Sequence, residues 1–268
     1  MGYLLELLVY PVSYIIGWFL GRSWHEAGSP EMVKLDFAVR SLPKGLEDLT
    51  ILHLSDLHGP QRASLIPLIA EAVRSLAPDC IAVTGDLARN DHELLLAETL
   101  LRGLEAPLGI FCVYGNNDLR FNPDLVRRAV EDSGAVLLDN TSITVTKNGT
   151  PVRLVGINHR TACSPRWRLH HQEDTPPFTL ILMHGPAAAA KLEIGDLVLA
   201  GHTHGGQLCL EPLTWLSRRV FSIESLAGKT LIGSRPVYIS RGIGTKMLPL
   251  RFRCPPEITL ITIKKKTS

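Results

Sequence analysis

Three apolar runs, each ending in a short polar motif and followed by a helical pattern, constrain the fold of this chain most. The runs cover residues 50–55, 79–84 and 109–114, and the helical patterns cover residues 64–76, 91–104 and 123–133. Strand, loop and helix units in succession predict a mainly parallel sheet with helical crossovers. In such sheets, ligands bind beyond the carboxyl ends of the strands, which is where the polar motifs fall.

The second half of the chain has a different pattern. Residues 142–146 and 152–157 flank Asn148-Gly149, a dipeptide that indicates a hairpin turn. Further strands are predicted at residues 33–39, 178–183, 196–200, 237–240 and 257–263. With 268 residues, the chain is long enough for one large α/β domain with a filled core, which we place at residues 32–268.

Charge and cysteine content do not indicate nucleic-acid binding or a cysteine-based site. The net charge of +2 is too balanced to indicate a nucleic-acid partner. The five cysteines are scattered and form no CxxC pair, so we expect neither a disulfide framework nor a thiolate zinc site.

The N-terminus is strongly apolar between residues 4 and 20, interrupted by Glu6, Pro11 and Ser13. A membrane-spanning helix needs about 20 such residues, so the segment is short for that role. We predict an uncleaved membrane anchor over residues 1–22, spanning or lying in the interface, in preference to a signal peptide or a buried helix. Arg22 on its C-terminal flank places the main domain on the cytoplasmic face of the inner membrane. Residues 23–31 are predicted to be a polar connector.

Five short motifs follow predicted strands, in the order Asp56-Leu57-His58, Gly85-Asp86, Gly115-Asn116-Asn117-Asp118, His184-Gly185 and Gly201-His202-Thr203-His204. Oxygen and imidazole donors suit manganese, iron or zinc. Any one motif alone is typical of an ordinary turn, but five in order, each at a strand end, predict a metal site. Two ions roughly 3.5–4 Å apart can polarise a phosphoryl oxygen and activate a water.

The five motifs resemble the blocks of the calcineurin-like metallophosphoesterases. Three sequence segments are similar to those of the membrane-associated, YkuE-type branch. They are Gly201 to Gln207, which includes the fifth motif, Ser240 to Gly244 and Pro255 to Leu260. That branch is similar in turn to the UDP-2,3-diacylglucosamine pyrophosphatases of lipid A synthesis.

This resemblance implies a four-layer α/β/β/α sandwich with two central sheets. It also implies two divalent ions. Manganese is the expected metal, and iron and zinc are the alternatives. The first ion would be held by Asp56, His58, Asp86 and His204. The second would be held by Asp86, Asn116, His184 and His202, so that Asp86 bridges the two.

Asn117 departs from the family pattern, which has a histidine at this position in the third block. A carboxamide has no titrating proton to give to a leaving oxygen. The departure therefore favours cleavage of an anhydride, whose leaving group needs little protonation. Two alternatives remain: Asn117 donates a hydrogen bond to the phosphate as a catalytic residue, or the site is weakened and the protein is a metal-bound membrane scaffold.

Two segments could contact a substrate. The polar stretch 158–177 carries Arg160, Arg166 and Arg168, whose guanidinium groups could clamp a nucleotide diphosphate, or which could belong to a solvated loop. Residues 208–221 mix apolar side chains with two arginines and could form either a lip that admits acyl chains or a buried excursion. The leading expectation is a UDP-2,3-diacylglucosamine pyrophosphohydrolase that gives UMP and a lipid monophosphate. A phosphodiesterase of the YkuE type is the alternative.

Overall fold

A computed structural model of the chain describes residues 2–39, 42–59, 63–163 and 178–266, with side chains from residue 14 onward. Its frame is a pair of six-stranded sheets that pack face to face. The predicted arginines at positions 166 and 168 lie outside the described residues.

The first sheet has the strand order β1-β12-β2-β3-β4-β5. Its strands are β1 (Glu31–Val39), β2 (Thr50–Leu54), β3 (Cys80–Val83), β4 (Ile110–Cys112), β5 (Val136–Leu137) and β12 (Glu257–Lys265). Neighbours are parallel except for the pair of β12 and β2. The crossovers carry α2 (Leu65–Leu76), α3 (Asp91–Arg102), α4 (Asn116–Phe121) and α5 (Pro123–Asp132). The predicted strand, loop and helix units are therefore present.

The second sheet has the order β10-β11-β9-β8-β7-β6. Its strands are β6 (Ser142–Lys147), β7 (Thr150–Ile157), β8 (Thr179–Met183), β9 (Leu197–Ala200), β10 (Gly228–Ile232) and β11 (Arg235–Ile239). Strands β6 and β7 form the hairpin that the Asn-Gly dipeptide predicts. Asn148 and Gly149 both have positive φ, 50° and 75°, as a tight hairpin turn requires.

Three apolar clusters separate the layers. The inner faces of both sheets meet around Phe111, Phe178 and Leu182. The outer face of the first sheet packs on α2, α3 and α5. The outer face of the second is covered by α6 (His159–Cys163) and the 3₁₀ segment Pro186–Lys191. Two mixed sheets with helices outside them agree with the predicted α/β class.

The N-terminal segment is one helix, α1 (Gly2–Ala27). The predicted polar connector beginning at residue 23 is wrong, because the helix continues to Ala27 and packs on the domain. The rings of Phe19 and Phe252 lie 4.9 Å apart, and Glu26 accepts a hydrogen bond from Cys254 N at 2.5 Å. Among the described residues, no helix is both long enough and apolar enough to cross a bilayer.

Candidate metal centre

The fold gathers all seven predicted metal ligands between the carboxyl ends of its central strands. Asp56 and His58 follow β2, Asp86 follows β3, Asn116 opens α4 after β4, His184 follows β8, and His202 and His204 follow β9. Side chains from both sheets therefore converge at one edge of the sandwich.

The first predicted ion position is surrounded by atoms from four residues. His204 Nε2 lies 3.3 Å from Asp56 Oδ1 and 3.3 Å from His58 Nε2. His58 Nε2 lies 3.8 Å from Asp86 Oδ2. The rings of His58 and His204 are nearly parallel, at 12°. Two imidazole nitrogens and two carboxylates thus point at a common space.

The second position shares Asp86 with the first. His184 Nε2 lies 3.3 Å from Asp86 Oδ2 and 3.0 Å from His202 Nδ1. The other ring nitrogen of His184, Nδ1, lies 2.8 Å from the carbonyl oxygen of Thr84. As the donor in that bond, Nδ1 keeps its proton, so Nε2 is the nitrogen that faces the site and is left to bind an ion.

Unpaired polar atoms show that this donor set fits cations. Asp56 Oδ1 and Asn116 Oδ1 are buried and accept no hydrogen bond within the described part of the chain. An unpaired buried carboxylate oxygen is costly unless a cation neutralises it. Oxygen and imidazole donors are the ligands that first-row divalent metals prefer, so the residues present could hold such ions.

The backbone at the site is strained. Five of the seven predicted ligands have a φ between 45° and 73°, a region that residues other than glycine rarely adopt. They are Asp56, His58, Asp86, His202 and His204. Strain of this kind clusters at functional sites, where it aims side chains inward.

Two glycines allow the loops to approach one another closely. A Cβ on Gly115 would lie 2.1 Å from Asp86 Oδ1, and a Cβ on Gly201 would lie 1.8 Å from Ser55 Oγ. Any larger residue at either position would displace the neighbouring loop. The glycines that flank the polar motifs are therefore part of the construction of the site.

The pKa values of most predicted metal ligands keep them in the protonation state that binds metal. Burial lowers the pKa of His58, and it lowers that of His204 well below the usual value. Burial together with His184 lowers the pKa of His202 to about 2. For His184, burial opposes the charged form, but Asp86 and Asp56 outweigh it and raise the pKa to about 9. Burial also opposes ionisation of Asp86, but His184 and His58 keep its pKa low.

Asp118 supports the bridging carboxylate and was not singled out from the sequence. Its fully buried carboxylate accepts hydrogen bonds from the backbone N–H groups of Asp86, Leu87, Ala88 and Gly115, at 2.8–3.1 Å. It therefore fixes the loop that carries Asp86. Its position in the third polar motif was the available signal.

Residues 240–244 also support the site. Their sequence contributed to the family resemblance, but no role was assigned to them. Ile243 N donates to the Ser55 carbonyl, and Gly244 N donates to the Asp56 carbonyl. Asp56 Oδ2 accepts from Ser55 Oγ at 2.7 Å and from His202 N at 2.9 Å. Asp56 is thus held on its backbone and on one carboxylate oxygen, while the other faces the site.

Arg251 connects these loops and was also missed by the sequence analysis. Its guanidinium is fully buried and donates to the carbonyl oxygens of His204, Arg241, Gly242, Gly244 and Cys254. These carbonyls belong to three loop segments, at residues 204, 241–244 and 254. Nothing in the local pattern around Arg251 indicates this role.

Asn117 lies beside the bridging carboxylate. Its side-chain Nδ2 donates to Asp86 Oδ2 at 2.5 Å, and its backbone N donates to Asp86 Oδ1 at 2.8 Å. The amide is therefore occupied in holding Asp86.

Residues 158–163, the described part of the first predicted substrate segment, and the second segment lie at the rim of the site. Arg160 is exposed on α6. Residues Leu213–Phe221 form α7, a helix without buried residues on which Trp215 and Leu216 are each 52% exposed. The alternative of a buried excursion is therefore wrong. The Phe221 ring lies 5.1 Å from that of His202, so α7 borders the metal centre.

Two clefts have Phe221, the last residue of α7, in their lining. One, of about 310 Å³, has His204 on its wall and is lined mainly by apolar side chains of Leu208, Leu213, Leu216, Phe221, Met247 and Leu248. The other, of about 320 Å³, lies beside His202 and includes His159 and Lys191.

The fold and this donor set define the class of the protein as a metal-dependent hydrolase. The model of the calcineurin-like phosphoesterase family matches residues 49–206, more than half of the chain. The chain belongs to that family and is a metallophosphoesterase.

Relatives extend over most of the chain. It is 30% identical over 236 residues to the uncharacterized metallophosphoesterase YkuE of Bacillus subtilis, covering 83% of this chain and 82% of the relative. It is 29% identical to the phosphodiesterase YaeI of Escherichia coli, covering 80% and 81%. The structure of a 5'-nucleotidase precursor from Thermus thermophilus is 13% identical, with a TM-score of 0.48, covering 80% of this chain and 54% of that one.

Proposed function

We propose that the protein hydrolyses the phosphoric anhydride bond of a nucleotide-linked lipid, with UDP-2,3-diacylglucosamine as substrate and UMP and the lipid monophosphate as products. The observation that carries this proposal is the apolar cleft beside His204. A hydrolase that acts only on small polar phosphoesters has no need of an apolar wall next to its metal-binding residues. An acyl chain would remove this surface from water, which stabilises the complex by roughly 25 cal/mol per Å² of apolar surface buried.

The proposed ligands of the first ion are Asp56, His58, Asp86 and His204, and those of the second are Asp86, Asn116, His184 and His202. Bound there, two divalent ions would polarise a phosphoryl oxygen and lower the pKa of a water molecule. The protein's own part is to hold the donors rigidly and to orient the substrate. Asp118 and residues 240–244 supply that rigidity through backbone hydrogen bonds.

Positive charges accompany the apolar cleft. Lys246 lines it, and Arg218 and Arg219 lie on the adjoining helix α7. The Arg219 guanidinium lies 5.0 Å from the centre of the Trp215 ring. Cations next to apolar side chains favour a ligand or surface that is both anionic and lipidic. Arg160 is a proposed contact of the diphosphate, together with the arginines at 166 and 168.

The placement of Asn117 supports an anhydride as the bond that is cleaved. With its amide directed at Asp86, it supplies no titrating proton to a leaving oxygen. A nucleoside monophosphate leaves as a stabilised anion, whereas an alkoxide needs protonation. Anhydride hydrolysis makes the smaller demand on this site.

A membrane surface is the proposed location, with the catalytic domain on the cytoplasmic face. The described part of α1 exposes Tyr14, Ile15, Trp18 and Trp24, and the loop near the apolar cleft exposes Met247. Aromatic and aliphatic side chains of this kind are typical of helices that lie in the membrane interface.

The second candidate is a phosphodiesterase with another substrate, as the name of the relative YaeI suggests. The cleft beside His202 favours it, because it presents His159 and Lys191 to a ligand without requiring a lipid.

The substrate is tested with purified, manganese-loaded protein and UDP-diacylglucosamine in detergent, by chromatographic detection of UMP. The matched variant is Leu216→Glu, on the exposed face of α7. We expect it to lose lipid-substrate turnover about tenfold or more while hydrolysing bis-p-nitrophenyl phosphate normally. Release of no UMP by the wild type, with the aryl diester still cleaved, would refute the lipid substrate and leave the phosphodiesterase.

A further inference from the structure

His159 lies against the second ion position although it belongs to none of the five motifs. It opens α6, after the end of β7. Its ring centroid is 5.0 Å from that of His202 and 5.5 Å from that of His184. One nitrogen from each of these three histidines lies within 4.8 Å of the others. This group does not include Asp86. It places three imidazoles around one space.

The hydrogen bonding of His159 leaves one nitrogen free. Nε2 lies 3.6 Å from Cys163 Sγ, one turn further along α6. Nδ1 is buried and has no hydrogen-bond partner among the described residues. The neutral tautomer with its proton on Nε2, facing the sulfur, has its lone pair on the unpaired Nδ1, and this is a form of imidazole that binds a metal.

The backbone holds His159 in this place. Its N–H donates to the carbonyl of Tyr114, immediately before the third motif, at 3.2 Å. Asn158 caps α6 by accepting from Thr161 N at 2.8 Å and is itself bound to Asp139 at 2.7 Å. Gly185 lies on the other side of the His159 ring. It has no Cβ, which would lie only 3.3 Å from His159 Nδ1, and so it leaves room for the imidazole. The histidine is thus fixed between the loops that carry Asn116 and His184.

We propose that His159 is an additional ligand of the second metal ion, which it binds through Nδ1 together with His184 and His202. The inference rests on the dinuclear centre of the proposed function. It makes the second position richer in nitrogen than the first, with three imidazoles against two. Nitrogen-rich sites suit zinc and iron better than manganese. A role in substrate binding alone would leave the affinity for metal unchanged.

The test is metal binding by the full chain, measured without substrate. His159→Phe keeps the volume of the ring and removes both nitrogens, and His159→Ala removes the ring. Thr161→Ala, on the same short helix, is the matched control. Metal content is measured after dialysis against a graded series of chelator concentrations, and the Co²⁺-loaded proteins are compared by visible absorption.

We expect both His159 variants to retain the first ion and to bind the second at least about tenfold more weakly, with altered Co²⁺ absorption and no change in Thr161→Ala. Unchanged affinity for two ions in both variants would overturn the role of His159 and leave the dinuclear centre intact. Failure of the wild type to bind two ions would instead refute the centre itself. The two failures are therefore distinguishable.

Discussion

Asn117 donates its side-chain amide to Oδ2 of Asp86 at 2.5 Å, and the same oxygen lies 3.3 Å from His184 Nε2 and 3.8 Å from His58 Nε2. The residue that departs from the family pattern is thus bound to the one carboxylate shared by both ion positions. Its backbone N–H also donates to the other oxygen of Asp86, so Asn117 holds both oxygens of that carboxylate. The consequence is chemical, because the site lacks a titrating group at this position.

Replacing Asn117 by histidine should broaden the range of leaving groups. We expect Asn117→His to raise kcat for alkyl phosphodiesters by about 100-fold, because an imidazole can protonate a departing alkoxide. Hydrolysis of anhydrides and aryl esters should change little. Steady-state kinetics on paired alkyl and p-nitrophenyl diesters measure the difference, and an equal change for both substrates would contradict it.

Asp86→Ala should lower the occupancy of both ion positions while the fold survives. The bridging carboxylate contributes to each position, so its loss removes charge from both, and activity should fall by on the order of 10³-fold. Metal analysis after dialysis and far-UV circular dichroism measure the two effects. Retention of two tightly bound ions would rule out the bridging role.

Metal binding at pH 7.5 should release about one proton per chain from His184, and about one more where a bound water is ionised. With its pKa raised to about 9, His184 is protonated in the metal-free protein, and Nε2 must lose that proton to bind an ion. His58, His202 and His204 have lowered pKa values and are already neutral at this pH.

Calorimetric titrations in two buffers of different ionisation enthalpy count the protons. The contribution of His184 should fall towards one half as the pH approaches 9, because His184 is then deprotonated in a growing fraction of the metal-free protein. Release of three or more protons at pH 7.5 would contradict the assignment.

Arg251→Met should destabilise the fold by about 3 kcal/mol or more, because it leaves several buried carbonyls without a donor. Urea unfolding of the metal-free protein measures this change without the contribution of bound ions. Arg253→Met, an exchange of the same kind two residues away, is the control, since the Arg253 side chain is exposed and, within the described part of the chain, donates no hydrogen bond to these loops. Equal stability of the two variants would contradict the linking role of Arg251.

The sequence predicted most of what is locally encoded. Strands β2, β3 and β4 and their helices were found because the apolar period and the polar strand ends occur within a few residues of one another. The Asn148-Gly149 hairpin follows from turn chemistry alone. The gathering of the motifs could be expected because the ends of parallel strands meet at one edge.

What the sequence could not predict depends on contacts between distant residues. Strand β12 lies between β1 and β2, a pairing that joins the two ends of the domain and leaves no local signal. Arg251 acts on carbonyls up to 47 residues away. His159 lies in the polar stretch 158–177 without a motif of its own, because its approach to His184 requires the two sheets to be in place.

Hydrolysis of bis-p-nitrophenyl phosphate as a function of bound metal tests the dinuclear centre most directly. Metal-free protein is titrated with Mn²⁺, and bound ions and turnover are measured on the same samples. We expect no turnover without metal and full activity only as the second ion per chain is bound. Two bound ions without turnover, whether manganese, iron, zinc or cobalt is supplied, would contradict the hydrolase and favour a metal-bound scaffold.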